Sequence, residues 1–261
     1  MTSFENYRNL YRLDGKVAMV AGGAGGIGSA ISEGLAAFGA TVVICGIPGA
    51  ECETLADEIE SRGGHAWGAE LDVLDIEHVR QFVSDVDNRF GSIDVLVNCV
   101  GTHKEAPAED YTEADWDRVV DLNLKAAFFL SQAVARVQIP GGGGKHIHIT
   151  SVRSLLGIRR GYIAYCSSKG GMNLMVKQLA TEWAKYNITV NGIAPTFTRT
   201  ELVKPYLEDP GFYNPLVDRI PLGRICEPID LAALSIYLAA PASDFITGQV
   251  IFADGGVTAT Q

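Results

Sequence analysis

With 261 residues, 47% of them apolar and 20% charged, the chain is long enough to bury a substantial core and has the composition of a soluble globular domain. Its formal net charge of −10 argues against a nucleic acid or an anionic membrane as partner, because either calls for a basic face that displaces counterions. The five cysteines form no CxxC and no paired spacing, which predicts reduced thiols in a cytoplasmic protein rather than a disulfide framework or a metal site.

The opening stretch, residues 1–14, is polar and aromatic. It has no apolar signal core, so it reads as an N-terminal arm on the domain surface, and no run of about 18 apolar residues follows that would span a membrane. From residue 15 to 261 short apolar runs alternate with helical periodicity, as βα units of a parallel sheet do. Strands are expected at 16–20, 41–45, 66–71, 94–98, 145–150, 188–194 and 248–252, with helices among them at 27–38, 115–137, 165–185 and 228–239. The fold class is α/β: a single-domain, Rossmann-type, doubly wound parallel sheet of seven strands with helices on both faces. PGGGGK at 140–145 reads as a plain connector.

Motifs at the expected strand ends carry the chemistry. VAGGAGGIGSAI, 20–31, follows the first strand and opens a helix, with Gly22, Gly26 and Gly28 spaced for a tight turn, a backbone approach to pyrophosphate and close helix packing. TVVICGIPGAE, 41–51, places Gly46 and Ile47 where a side chain would meet an adenosine ribose, and neither is able to hydrogen-bond it. Asp72, after the third strand, is placed to accept from an adenine amino group, and Asn98 ends the fourth strand beside the ligand crevice. YCSSK sets Tyr165 and Lys169 four apart on one helix face, where an ammonium would favour the phenolate of a phenol whose ordinary pKa is about 10. Ser151 closes IHITS with a hydroxyl for the substrate oxygen, and Asn123 in DLNLK is an amide suited to fixing a helix distortion and a water. His65, His78, His146 and His148 lie in no ligand spacing, and no metal is expected.

With these motifs in place, and with NGIAPTFTRT and GQVIFADGG further on, the chain resembles the short-chain dehydrogenase/reductase family from about Leu13 to Val257. The resemblance implies hydride transfer between a nicotinamide and a secondary alcohol or ketone, with Asn123, Ser151, Tyr165 and Lys169 catalytic. It also implies that Ile27, Val73, Gly101, Pro195, Thr198 and Thr200 join the cofactor site, that 196–217 forms a substrate lid, and that the protein is a tetramer or dimer, with the homotetramer favoured. Four positions depart from the family: Ala21 replaces its usual threonine, Cys99 and Val100 replace asparagine and alanine, and Thr196 replaces a glycine.

In the family an acidic residue at position 46 selects NAD, and a basic one at 47 or 25 pairs with the 2′-phosphate of NADP. Gly25, Gly46 and Ile47 offer neither, and the missing cation favours NAD, with NADP the lesser expectation. GTHKEAPAEDYTEADWDRVVDLNLKAAFFLSQ and RIPLGRICEPIDLA resemble the branch that contains gluconate, deoxygluconate and ketodeoxygluconate dehydrogenases. His103, Lys104, Arg153, Arg159 and Arg160 are cationic or basic groups flanking the expected site, which suits an anionic sugar or sugar acid. An NADPH-dependent ketoacyl or other ketone reductase is the alternative, and a non-catalytic nucleotide-sensing scaffold is the reading from another class.

Overall fold

The computed structural model describes residues 4–201 and 203–260, so residues 1–3 of the expected arm and position 202 of the 196–217 segment lie outside the described residues. The arm forms a one-and-a-half-turn helix, α1 (Phe4–Asn9), with no buried residue, and is tied down only beyond it. There Tyr11 lies 6.3 Å from the Tyr237 ring, the Ala242 amide donates to the Leu10 carbonyl, and Leu13 is fully buried.

Next come β1 (Val17–Ala21), α2 (Gly26–Ala37), β2 (Thr41–Gly46), α3 (Gly49–Ser61), β3 (His65–Glu70), α4 (Ile76–Phe90) and β4 (Val95–Asn98). The chain continues through α5 (Glu113–Val120), α6 (Ala126–Gly141), β5 (Gly144–Ile149), α7 (Ile163–Trp183) and β6 (Ile188–Pro195). Short helices α8 (Lys204–Leu207) and α9 (Pro210–Val217) precede α10 (Pro228–Ala239) and β7 (Val250–Ala253). The strands form one seven-stranded sheet in the order β3-β2-β1-β4-β5-β6-β7, parallel throughout. Crossovers that place helices on both faces bury the central strands on both sides, so β1 and β4 are buried at every residue instead of alternating. One face packs Leu35, Leu55 and Leu231 from α2, α3 and α10, and the other packs Phe82 and Leu130 from α4 and α6, with Leu179 of α7 in an adjoining cluster.

The helix expected over 115–137 is in fact broken. Between α5 and α6 the residues Asp121–Lys125 make one turn of π-helix, in which Asn123 is fully buried. Periodicity alone does not register such a turn, because α5 and α6 continue on either side of it. PGGGGK acts as the expected connector, with Gly142 and Gly143 at positive φ between α6 and β5.

Candidate active site

The strand ends and the loops after them build the site from the backbone outward. Gly22 turns the chain out of β1 at a φ of 71°, and its amide donates to the Cys45 carbonyl at 2.7 Å, locking the loop to β2. A methyl group at Gly28 would overlap the Gly22 carbonyl oxygen, so helix α2 approaches the loop as closely as it does only with glycine there. Side chains cap other helices: Asp75 accepts from two amides of α4, and Glu227 and Asp230 form a capping box on α10. The N-terminus of α2, at Gly25, has no side-chain cap. A bare amide terminus beside a glycine cradle suits a dinucleotide pyrophosphate, and Thr200 packs against Gly26 at its rim.

At the adenosine end Gly46 lies beside Gly22, and the Leu71 amide donates to the Gly46 carbonyl, which brings Asp72 alongside. One Asp72 oxygen accepts from the Leu74 amide at 2.9 Å. Ile47 is 66% exposed. Two expected contacts change character here. The Val73 side chain is buried in the core, so only its peptide is available, and Asn98 is 2% exposed, with its Oδ1 accepting from the Val100 amide. Asn98 therefore shapes the turn toward Gly101 through its Oδ1.

The catalytic groups converge on a cleft of about 280 Å³ at the carboxyl ends of β4, β5 and β6. Ser151, Tyr165 and Lys169 line it, with Ile27, Gly101, Pro195, Thr198 and Thr200 on the cofactor side and His103 and Arg153 on the other. Lys169 is buried, its Nζ donates to the Ile149 carbonyl at 2.8 Å, and it sits 5.9 Å from the Tyr165 ring centroid. Asn123 works through the backbone of one neighbour. Its Nδ2 donates to the Thr102 carbonyl and to Ser168 Oγ, and its Oδ1 accepts from the Thr102 amide at 2.7 Å, so the π-turn pins the loop that carries Gly101 and His103.

The electrostatics correct one expectation. Burial raises the Tyr165 pKa above its ordinary 10, and hydrogen bonding by Ser151 opposes the rise without cancelling it. Burial also lowers Lys169 to about 8. Desolvation thus outweighs the hydrogen bond and charge that favour the phenolate, and Tyr165 is a neutral acid at neutral pH. Beneath them, His146 and His148 are buried on β5. Desolvation, with His148 acting on His146 and Lys169 on His148, lowers them to about 3 and about 4, so both are neutral core residues.

Of the expected substrate groups, Lys104 and Arg159 fall outside the cleft lining. The Ala106 amide bonds the Gly161 carbonyl at 3.0 Å, zipping two loops together. Arg160 is thereby set on Glu105 in a bidentate pair of 2.9 and 2.6 Å, and Arg159 is left in solvent. Lys104 meets Tyr111 through its carbonyl. Sequence reasoning missed Tyr162, whose ring is 5.3 Å from His103 and 6.1 Å from Tyr165, and the roof residues Phe197 and Val203. For Tyr162 a signal existed, since it precedes Tyr165 by one helical turn. Phe197 and Val203 fall within the 196–217 segment expected as a lid, which did not single them out.

A larger cavity of about 680 Å³ lies elsewhere, between α2 and α10. Its charged residues, Glu33 and Arg62, are 3.4 Å apart and pair with each other, so it offers no convergent reactive groups. Among the described residues no three His, Cys, Asp or Glu side chains gather as metal ligands, and no helix is long and apolar enough to cross a membrane.

Known proteins match this arrangement. The family profile described as enoyl-(acyl carrier protein) reductase matches residues 22–258. The gluconate 5-dehydrogenase of Gluconobacter oxydans (strain 621H) is 36% identical over 97% of this chain and 98% of its own length. A tropinone reductase homolog of Arabidopsis thaliana is 38% identical over 95% of both chains. A solved gluconate 5-dehydrogenase from Burkholderia cenocepacia J2315, in complex with NADP and tartrate, superposes with a TM-score of 0.93 at 37% identity, covering 97% of this chain and 99% of that one.

Proposed function

The chain belongs to the short-chain dehydrogenase/reductase family, and from that premise we propose that it interconverts a secondary alcohol and a ketone on a gluconate-type sugar acid with NADP(H). One observation carries the substrate class. Arg153 lines the same cleft as Ser151 and Tyr165 and is half-buried; among the described residues it holds no carboxylate, and its guanidinium donates only to the Gly157 carbonyl, at 3.0 Å. A desolvated, unpaired guanidinium in a protein of net charge −10 suits an anionic ligand.

The nicotinamide cofactor supplies or accepts the hydride. The chain's own residues do the rest. Ser151 Oγ holds the substrate oxygen, Tyr165 Oη gives that oxygen a proton in reduction or takes one in oxidation, and Lys169 supplies positive charge beside the phenol. Asn123 keeps Gly101 and His103 in place through Thr102.

The preference among nucleotides turns from NAD toward NADP. The absence of a cation at Gly46 and Ile47 was the reason for NAD, yet the absence of a carboxylate at Gly46 also removes the group that would repel a 2′-phosphate. The NADP held by the Burkholderia relative adds support to the second consideration. The alternative of a neutral-ketone reductase, which the tropinone reductase homolog raises, leaves Arg153 unexplained. Separate titrations with NADPH and NADH, followed by tryptophan fluorescence, are expected to give the tighter constant for NADPH, and gluconate-type acids to be oxidised in preference to neutral polyols. Tighter NADH binding returns the choice to NAD, and equal turnover of acids and polyols removes the sugar-acid reading.

A further inference from the structure

We propose that Arg160 is a positioning residue of the cleft: held on Glu105, its guanidinium links Tyr162 on the cleft wall to Phe212 in α9 and so keeps the roof down over the substrate. The inference rests on the reading of this cleft as the substrate site, whichever alcohol or ketone it takes.

The roof is the starting point, because burial holds little of it. Helices α8 and α9 contain no buried residue, whereas α10 buries Leu231, Ile236 and Leu238 against the sheet. Apolar burial, the usual anchor of a surface helix, therefore contributes less to the roof than to the rest of the domain. A set of rings centred on Phe212 joins α8 and α9 to the cleft instead. The Phe212 ring is half-buried, 5.8 Å from Tyr206 of α8 and 5.8 Å from Phe197, which lines the cleft. Its third partner is a cation, the Arg160 guanidinium, 5.8 Å from the ring centroid.

The same guanidinium lies 5.7 Å from the ring centroid of Tyr162, which lines the cleft 6.1 Å from Tyr165 and 5.3 Å from His103. One cation thus meets a ring of the wall and a ring of the roof, both within the reach of about 6 Å over which an aromatic quadrupole attracts it. Its orientation is fixed from a third direction. Glu105 takes the Nε–Nη2 edge in the bidentate pair of 2.9 and 2.6 Å, which leaves the planar faces to the rings. Glu105 is placed in turn by the neighbouring Ala106 amide, which donates to the Gly161 carbonyl at 3.0 Å, and the Tyr162 amide donates to the Arg160 carbonyl at 2.9 Å. The Arg160 side chain is 32% exposed, so water screens these contacts only in part. A lysine at this place would supply the charge without the fork or the flat face.

The test compares Arg160→Ala, Arg160→Lys, Phe212→Leu and the Arg160→Ala/Phe212→Leu double variant with the wild type. Two quantities are read: turnover of a gluconate-type acid, and the rate of chymotryptic cleavage after Tyr206 in α8. A cation–π contact at a partly exposed site shifts an equilibrium by about two- to fivefold, so losing both is expected to raise KM about tenfold in Arg160→Ala with kcat unchanged. Cleavage after Tyr206 is expected to quicken, Arg160→Lys to recover little, and the double variant to be no worse than Arg160→Ala, since both changes break one link. Cleavage of Arg160→Ala at the wild-type rate overturns the tie, as do additive losses in the double variant. A KM restored by Arg160→Lys overturns it too, because charge alone would then suffice, and a fall in kcat at unchanged KM denies the positioning role. A wild type that turns over neither the acid nor the corresponding neutral polyol overturns the proposed reaction, while the cleavage rates still decide the tie.

Discussion

Two stretches of the same sheet edge do different work by different means. At the β5–α7 corner Ser151 and Lys169 are almost fully buried, and Lys169 is held at its Nζ by the Ile149 carbonyl. Asn123, on the neighbouring π-turn, is buried with every polar atom engaged. At the β2–α3 turn the corresponding surface is Gly46 and a largely exposed Ile47, with no polar side chain. The contrast follows from the two tasks. A group that moves a proton must be held in one place and near one protonation state, which requires desolvation and fixed partners. A turn that admits a nucleotide needs open space and a suitable charge, including none.

The largest break of that contrast comes from the corner. Tyr165→Phe removes the hydroxyl proposed to exchange a proton with the substrate oxygen, and general acid–base catalysis contributes typically 10² to 10⁴ in rate. We expect kcat to drop about 10³-fold, with NADPH binding retained by fluorescence titration. The wild type adds a sign. Burial holds the phenol above its ordinary pKa, so it is protonated at neutral pH. Oxidation, which needs the phenolate, is expected to speed up as pH rises, and reduction to slow. A wild-type oxidation rate independent of pH from neutral to alkaline would remove Tyr165 from the base role.

The other region is tested by giving it what it lacks. A Cβ at Gly46 would meet Gly22 Cα at 3.6 Å and Cys52 Sγ at 3.8 Å, ordinary contact distances, so Gly46→Asp fits without moving the backbone. Its carboxylate would repel a 2′-phosphate and accept from ribose hydroxyls. We expect NADPH affinity to fall about ten- to a hundredfold, equivalent to about 1.4–2.7 kcal/mol, while NADH affinity rises. Parallel changes for both nucleotides would show that this turn does not read the ribose.

These two regions also differ in how far they were legible beforehand. The sheet was readable because buried parallel strands form apolar runs of their own, and Tyr165 and Lys169 because four residues make one turn of helix. Asn123 was readable as an amide out of place, but its partner was not: Thr102 contributes through its backbone, which every residue possesses. Among the cations near the site, Arg153 was favoured for standing two residues after Ser151, while Arg159 and Lys104 had no such mark. They separated only when the Ala106–Gly161 bond and the Arg160–Glu105 pair fixed the loops, leaving one in the cleft and two outside. The nucleotide preference was hard to read because an absent side chain is evidence about two charges at once.

The smallest effect concerns the cost of the corner itself. Lys169 has its pKa lowered from 10.5 to about 8 by desolvation, a difference corresponding to about 3 kcal/mol against the charged form in the folded protein. Below about pH 8 the side chain is charged in both folded and unfolded chains, and the whole penalty applies. Between about 8 and 10.5 the folded chain releases its proton first, so wild-type stability gains as pH rises through that window. Lys169→Met removes the charge but leaves the Ile149 carbonyl one donor short, which costs about 1–3 kcal/mol. At pH 7 the variant is therefore expected to be inactive yet more stable by about 1 kcal/mol in urea unfolding. Above pH 10.5 only the missing hydrogen bond remains, and the order of stabilities should reverse. A variant less stable than the wild type at pH 7, by an amount that does not vary with pH, would mean that the ammonium is solvated in the folded protein. The corner would then resemble the open turn after β2 more closely than its burial implies.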